Sequence, residues 1–455
     1  MRTSDSVELW QEGASIKSFF LVRDGHFDEE GITAILLEPG NFPGCSGSRN
    51  LGDNLSDLKA QVAANTKGSN LIKDLMKEYS RPVVHFYMEK IQENAELAVR
   101  EYLKSAYRRF GSNPLTATDY LDNGSMMTVT ISIDETGFAT LDFTGTSCEM
   151  HSNMNAPPAI TYSALIYTLR LLIGSDIPLN QGCLAPTKVI LPKNTFLNPS
   201  AKAAVCCGNT LTSQRLVDLL LKAFQAAAAS QGCMNCFGFF GNCLELGAEE
   251  ATDSQLDDSG GFAFGYGETI CGGEGAGPTW HGASGVQVHM TNTRTTDVEI
   301  IEKRYPVLLR EFSIRKGSGG RGRFNGGCGV VRDWECRYPL TFGIITERRV
   351  HQPFGMHGGG PGKSGANYWV QKLEDGSERW VDIGSRGQIN MKTGDRCVIH
   401  TPGGGGWGMP FDEAASSNDV NEVVKDTDGP LHVKSAYPRA AGSFHNFSAA
   451  QEASS

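Results

Sequence analysis

The distribution of glycine constrains this chain more than any other feature. The sequence holds 54 glycines, and they crowd the stretch after Gly238, well above a usual share of about 7%. From there to Gly408, glycine clusters separate short β-type runs: "VLLREFSI", "GVVRDWECR", "LTFGIIT", "NYWVQKL" and "DRCVIHT". No helix-length period survives such punctuation, so this half is expected to be mostly β, with many turns and loops.

The first half reads differently. Residues 53 to 110 place apolar side chains at three- and four-residue intervals in "LSDLKAQVAAN", "LIKDLMKEY" and "VVHFYMEKIQENAELAVREYLKSAY", with Asp53 and Asn54 available as caps. This spacing predicts a helical layer. "MMTVTISID" and "FATLDFTG" alternate with period two around "ETG", where glycine supplies the positive φ of a tight β-hairpin turn. Helices are expected again at "AITYSALIYTLRLLI" and, beyond the strand-like "TKVILP", at "LTSQRLVDLLLKAFQAAAAS". The fold class is therefore α+β, with a helical layer in the N-terminal half and a glycine-rich, mostly β C-terminal half. Residues 1–410 are expected to form the domain. Residues 411–455, polar and poor in aliphatics, are expected to be a loosely attached tail.

Composition bounds the partners. A formal charge of −10, with no basic run interleaved with aromatics, argues against nucleic acid. No apolar stretch reaches the roughly 18 residues of a membrane span. The start, "MRTSDSVELWQEG", lacks the layout of a signal peptide, so the twelve cysteines point to a reduced, cytosolic setting rather than a disulfide framework.

Several motifs fail on context. Gly317-Ser-Gly319-Gly-Arg-Gly322 fits G-x-G-x-x-G, but "RFNGGCGVVRDWEC" follows where a dinucleotide site needs a helix. "HGGGPGKS" approaches a phosphate loop, yet His357 stands where glycine is required and no helix follows Ser364. "TPGGGGWG" lets backbone approach a ligand or another segment, or simply turns the chain. "CMNC", Cys233 to Cys236, lacks the second pair of a zinc site, and packed thiols are the simpler reading. In "GNTLTSQR", Asn209 and Thr210 stand where a long helix starts; they are ordinary caps or line an anion-binding helix end.

The polar run "VQVHMTNTRTTDVEIIEKRYP" holds His289, Asn292, Arg294 and Asp297. Upstream, "GETICGGEGAGPTWHG" adds Glu268 and His281; downstream, "TERRVHQPFGMHGG" adds Glu347, Arg348 and Arg349. Convergent polar groups on glycine-rich backbone are how loops build sites on a rigid sheet. His289 and Arg294 are expected to face one cleft with Glu268.

Together with "NMNAPPAITYSALIYTLRLL", "DIPLNQGCLAP" and "GNTLTSQRLVD", these segments resemble the hydantoinase B/oxoprolinase family, in order from about Val7 to Trp407, and the tail resembles fungal 5-oxoprolinases. The resemblance implies the hydrolase part of an ATP-dependent 5-oxoprolinase, which opens a five-membered lactam to glutamate after an A-type part has used ATP and Mg to activate the amide oxygen. It implies His289, Asn292 and Arg294 as catalytic groups, Asp297 orienting the histidine, Glu268 as a further acid/base, and Arg348, Asn209 and Thr210 on the substrate. Implied partners are the hydantoinase A-like part or a full-length homologue, and a homo-oligomer is expected.

Against that pattern the chain begins late. The ATP-binding half and an upstream His-His-Ala-Asp stretch, a plausible divalent-metal site, precede this region in the family, and a first histidine of the His-x-His pair is Gln287 here. Alternatives are a non-catalytic remnant that binds a full-length homologue, or a B subunit of the N-methylhydantoinase or ketone-carboxylase type.

Overall fold

The structure, a computed structural model, describes residues 5–43, 45, 48, 50–174, 177–243 and 262–410; the expected tail at 411–455 lies outside the described residues. A short ribbon, β1 (Val22–Arg23) on β2 (His26–Phe27), leads into α1 (Glu29–Leu37). Two long helices follow, α2 (Leu51–Tyr79) and α3 (Arg81–Phe110), joined through Ser80 alone. The cap of α2 is Asn50, whose side-chain oxygen accepts the Asp53 N–H at 3.3 Å, so the helix starts ahead of the expected Asp53 and Asn54.

The first sheet has the order β3 (Leu115–Tyr120), β4 (Met126–Ile133), β5 (Ala139–Asp142), β6 (Thr187–Ile190), antiparallel except for the β5–β6 pair. The expected β4–β5 hairpin is present, and Gly137 takes φ +77° in its turn. Period two turns Met127, Val129 and Ile131 inward. They meet Val99 and Leu103 of α3, Leu165 and Leu169 of α4 (Pro158–Ile173), and Leu216 and Leu220 of α5 (Ser213–Ala223). Helix α5 is shorter than its apolar run suggested. Gln225 enters the left-handed region at φ +50°, and Ala228 and Ala229 instead donate to the carbonyls of Ala276 and Phe354.

The second half builds two sheets. β7 (Cys236–Cys243) and β8 (Phe262–Glu268) pair with each other, and β7 with β11 (Leu340–Ile345), which pairs with β14 (Arg386–Met391). The other sheet runs β13 (Glu378–Asp382), β12 (Ala366–Lys372), β15 (Arg396–His400), β10 (Val330–Cys336), β9 (Val307–Ile314), with the short α6 (Val298–Arg304) leading into β9. The five strands expected from sequence are all present. β7 and β8 escaped that reading because glycines interrupt their alternation, Gly238 standing directly opposite Gly267. Phe237, Phe239, Phe342 and Trp334 fill this core, Phe237 stacked on Phe342 at 5.3 Å.

Between the sheets and the helical layer, glycine segments pack backbone on backbone. Gly404 donates to Gly327 O and accepts from Gly320 N, Gly405 donates to Ala229 O and accepts from Ala276 N, and Gly406 donates to Gly360 O. A Cβ on Gly404 would lie 1.9 Å from Glu274 O, on Gly326 2.0 Å from Gly404 O, and on Gly320 2.2 Å from Gly360 O. Both G-x-G-x-x-G and "HGGGPGKS" belong to this lattice, so glycine there admits neighbouring backbone and not phosphate. The open choice for "TPGGGGWG" resolves the same way.

Gly404→Ala is therefore expected to destabilise the protein by about 3 kcal/mol or more, read as a lowered urea midpoint. Gly265→Ala, where an added Cβ meets nothing within 4 Å, is expected to change stability by less than about 1 kcal/mol.

Candidate functional site

Helix α5 carries two fully buried charges, Arg215 and Asp218, each 1% exposed, besides the half-buried Lys222. Asp119 on β3 and the segment Glu347–Arg349 after β11 close around them. Arg348 Nη2 lies 2.9 Å from Asp119 Oδ2 and 3.2 Å from Asp218 Oδ2, and Arg215 Nη2 lies 3.1 Å from Asp119 Oδ2. Asp218 Oδ1 accepts the Ser230 N–H at 2.9 Å and meets His289 Nε2 at 3.2 Å. Burial pushes the Asp218 carboxyl up, but the bond with His289 and the charge of Arg348 outweigh it and bring the pKa down to about 2.

The loop bearing His289 is clamped from the same helix. Gln214 Nε2 donates to Val288 O at 3.2 Å and to Thr291 Oγ1 at 2.6 Å, and its Oε1 accepts the Met290 N–H at 3.3 Å. His289 sits at φ +48° and Arg348 at φ +64°, a conformation that costs roughly 1–3 kcal/mol per non-glycine residue and persists where surroundings enforce it. With Asp218 ionised, His289 donates through Nε2–H, which leaves Nδ1 as the acceptor. The His289 side chain is 11% exposed, and Tyr167 stands edge-on to its ring at 6.0 Å.

The expected site residues divide among different places. Asp297 does not orient His289: its carboxylate caps α6 by accepting the Glu299 N–H at 3.0 Å, and Asp218 takes the place beside the imidazole. Asn292 and Arg294 are exposed. Glu268 is committed elsewhere, 2.6 Å from Arg332 Nε and 2.5 Å from the Tyr266 hydroxyl; burial raises its pKa against the pull of Arg332. It still reaches the polar run, through a hydrogen bond with the Thr296 backbone, and the neighbouring Thr269 and Thr293 hydroxyls lie 2.5 Å apart.

Arg348, expected to hold a substrate carboxylate, is sealed at 0% exposure between two carboxylates of the protein itself. Asn209 and Thr210 cap nothing. They lie in a π-helical turn, Gly208–Thr212, that runs straight into α5, so the Leu211 and Thr212 N–H groups are already taken by Cys207 O. Gln287 anchors the run by donating to the carbonyl and hydroxyl of Thr269, both at 3.2 Å.

Sequence reasoning missed Asp119, Gln214, Arg215 and Asp218. The usable signal was a charged pair three residues apart in the otherwise aliphatic run "RLVDLLL", since buried charges are retained only in paired sets.

Glu347 is the odd member. It is 1% exposed, and its Oε2 accepts the Asp122 N–H at 2.9 Å. Burial, then the charge of Asp122, push its pKa up to about 7 against Arg215 and Arg386. Among the described residues no group of three or more His, Cys, Asp or Glu is placed to hold a metal ion, and the glycine loops leave no cradle for a nucleotide.

The chain belongs to the hydantoinase B/oxoprolinase family, which it matches over residues 2–410. It is 48% identical over 417 residues to 5-oxoprolinase 1 of Arabidopsis thaliana and 47% identical over 415 residues to 5-oxoprolinase of Saccharomyces cerevisiae, in each case over 89% of this chain and 31% of the relative. It thus spans about a third of the length of these curated relatives. The crystal structure of an ATP-dependent caprolactamase from Pseudomonas jessenii shares the fold, with a TM-score of 0.71 at 20% identity over 90% of this chain and 70% of that one. No helix among the described residues is long and apolar enough to cross a membrane.

A carboxyl whose folded pKa is raised contributes stability below its unfolded value, near 4.5, and loses it as pH rises through about 7. Glu347→Gln is therefore expected to gain stability relative to the parent between pH 5 and pH 8, by on the order of 3 kcal/mol. Parallel urea titrations at the two pH values measure it. An equal effect of the substitution at both would show that Glu347 ionises freely.

Proposed function

We propose that this chain is the hydrolase part of an ATP-dependent 5-oxoprolinase, opening 5-oxoproline to glutamate together with an ATP-binding A-type part. The observation that carries the reading is the near-50% identity to proteins named 5-oxoprolinase across almost the whole chain. The name of the caprolactamase with the same fold, another ATP-dependent lactam opener, agrees with it. Activation of the lactam by ATP belongs to the A-type part. On this chain His289 offers Nδ1 to steer water, and Asp218 fixes the tautomer and faces the imidazolium that results. Asn292 and Arg294, exposed on the same run, are within a few residues of His289 and offer donors to a developing oxyanion.

In the test, the purified chain is combined with an A-type protein of the family, ATP and 5-oxoproline, and glutamate is measured. ATP-dependent glutamate is expected. His289→Gln should lower kcat roughly 10²-fold or more, and Asp218→Asn should also distort the acidic limb of the pH profile. No glutamate with a competent partner would reject the reading, and preference for N-methylhydantoin would move the substrate.

Gln287 favours a second reading, a non-catalytic remnant that binds a full-length homologue. Its amide is used to hold Thr269, where the family pattern would supply a second imidazole. Gln287→His separates the two: a rise in turnover identifies a weakened enzyme, whereas zero turnover by both forms, with co-purification of an intact homologue, identifies the remnant.

A further inference from the structure

Arg332 is a buried cation that the protein itself satisfies only in part. It stands on β10 with 0% exposure, and its guanidinium lies between the rings of Phe312, at 4.6 Å, and Trp334, at 4.7 Å. Glu268 Oε1 is 2.6 Å from Nε, a contact of charges rather than an aligned hydrogen bond, and among the described residues no acceptor meets Nη1 or Nη2. Arg215 and Arg348, buried as deeply, each hold protein carboxylates through Nη2. Nor is Glu268 devoted to Arg332, since it also accepts the Tyr266 hydroxyl at 2.5 Å and a hydrogen bond from the Thr296 backbone.

This geometry defines the partner that fits. With an aromatic face on either side, the guanidinium forms further hydrogen bonds only in its own plane, and a buried N–H without an acceptor is costly. The two oxygens of a carboxylate match the Nη1–Nη2 fork. Burial raises the Glu268 carboxyl above its ordinary range, so Glu268 can take a proton and yield its charge when a second carboxylate arrives. The cover over Arg332 is light. Phe312 lies directly opposite it in the register of β9 on β10, on the edge strand of the sheet, where residues 310–314 are all exposed and Phe312 is 44% exposed. The stretch that brings Thr296 to Glu268 is largely exposed too, and irregular up to α6. Rotation of the Phe312 side chain uncovers the guanidinium without disturbing the strands.

We propose that the Nη1–Nη2 fork of Arg332 binds the carboxylate of the lactam substrate, with Phe312 as its cover. The choice of 5-oxoproline as the ligand rests on the function proposed above. Arg332 then fills the role expected of Arg348, which the protein's own carboxylates occupy. Equilibrium dialysis of labelled 5-oxoproline against the full chain is expected to show binding that 2-pyrrolidinone, the same ring without the carboxylate, does not displace. Arg332→Gln should weaken that binding roughly tenfold or more. Arg332→Lys, which keeps the charge and loses the fork, should fall between the two. In the reaction with the A-type part, Arg332→Gln should raise KM far more than it lowers kcat.

No binding by the parent, displacement by 2-pyrrolidinone as effective as by unlabelled 5-oxoproline, or undiminished binding by Arg332→Gln would overturn the site. The two readings fail separately. A parent that binds 5-oxoproline through Arg332 but makes no glutamate rejects the reaction and leaves the site, whereas glutamate made by Arg332→Gln with an unchanged KM rejects the site and leaves the reaction. If Arg332→Gln strands the Glu268 charge and unfolds the sheet, Arg332→Gln with Glu268→Gln keeps the interior neutral. Phenylglyoxal, which modifies accessible arginines, gives a reading with the fork intact: in Phe312→Ala it is expected to modify Arg332, and 5-oxoproline but not 2-pyrrolidinone should protect it. Modification that 5-oxoproline does not impede, or no modification at all, excludes the site.

Discussion

The buried set of Asp119, Arg215, Asp218 and Arg348 is the interaction on which the rest of this structure depends. Its members come from β3, from α5 and from the segment after β11, so it joins the helical layer to the glycine-rich half. Two carboxylates against two guanidinium groups leave no net charge inside. Desolvation makes such a set a poor source of stability by itself, but removing one member strands a buried charge at a cost of about 3–5 kcal/mol. The set therefore enforces one relative placement of the two halves, and it holds Arg348 and, through Asp218, His289 in backbone conformations that neither residue would choose.

Placement this tight requires that the intervening backbone come close, and the glycine lattice meets that need. Gly232 is an instance at the network itself: a Cβ there would lie 2.7 Å from Arg348 Nε and 3.1 Å from Arg215 Cδ, and its φ of +67° is one that side chains rarely adopt. Ala228 and Ala229 pass from α5 into the lattice by hydrogen bonds to Ala276, Phe354 and Gly405. The segment that follows the helix thus locks onto the glycine runs just before the chain returns, at Ser230, to bond Asp218.

The fold was legible where period carried it. Alternation gave the β4–β5 hairpin and five later strands, and three-four spacing gave α2, α3 and α4. β7 and β8 were hidden because paired glycines remove the alternation, and α5 was overextended because an alanine run cannot show that it will serve as lattice. The site was legible by composition but not by partnership. His289, Glu347, Arg348 and Arg349 stood out as polar groups on glycine-rich loops, whereas Asp218, 71 residues from His289 in sequence, could be matched to it only by the folded chain. Asp297 was a natural guess for the same reason: it was near in sequence, and the cap of α6 claimed it.

Charge balance connects the outer members of the network to its centre. Arg349, half-buried, donates to Asn235 Oδ1 and to Glu347 O, both at 2.7 Å, and Asp122 accepts the Arg349 N–H at 2.8 Å. With Glu347 neutral, Asp119, Asp122 and Asp218 offset Arg215, Arg348 and Arg349. Burial first, and then the charge of Asp122, hold the Glu347 carboxyl up at about 7 against the pull of Arg215 and Arg386. Asp218, ionised down to a pH of about 2, faces the His289 ring from the same set. The set thus carries a carboxyl poised near neutrality at one edge and a carboxylate fixed beside the imidazole at another, linked through Arg215, Asp119 and Arg348.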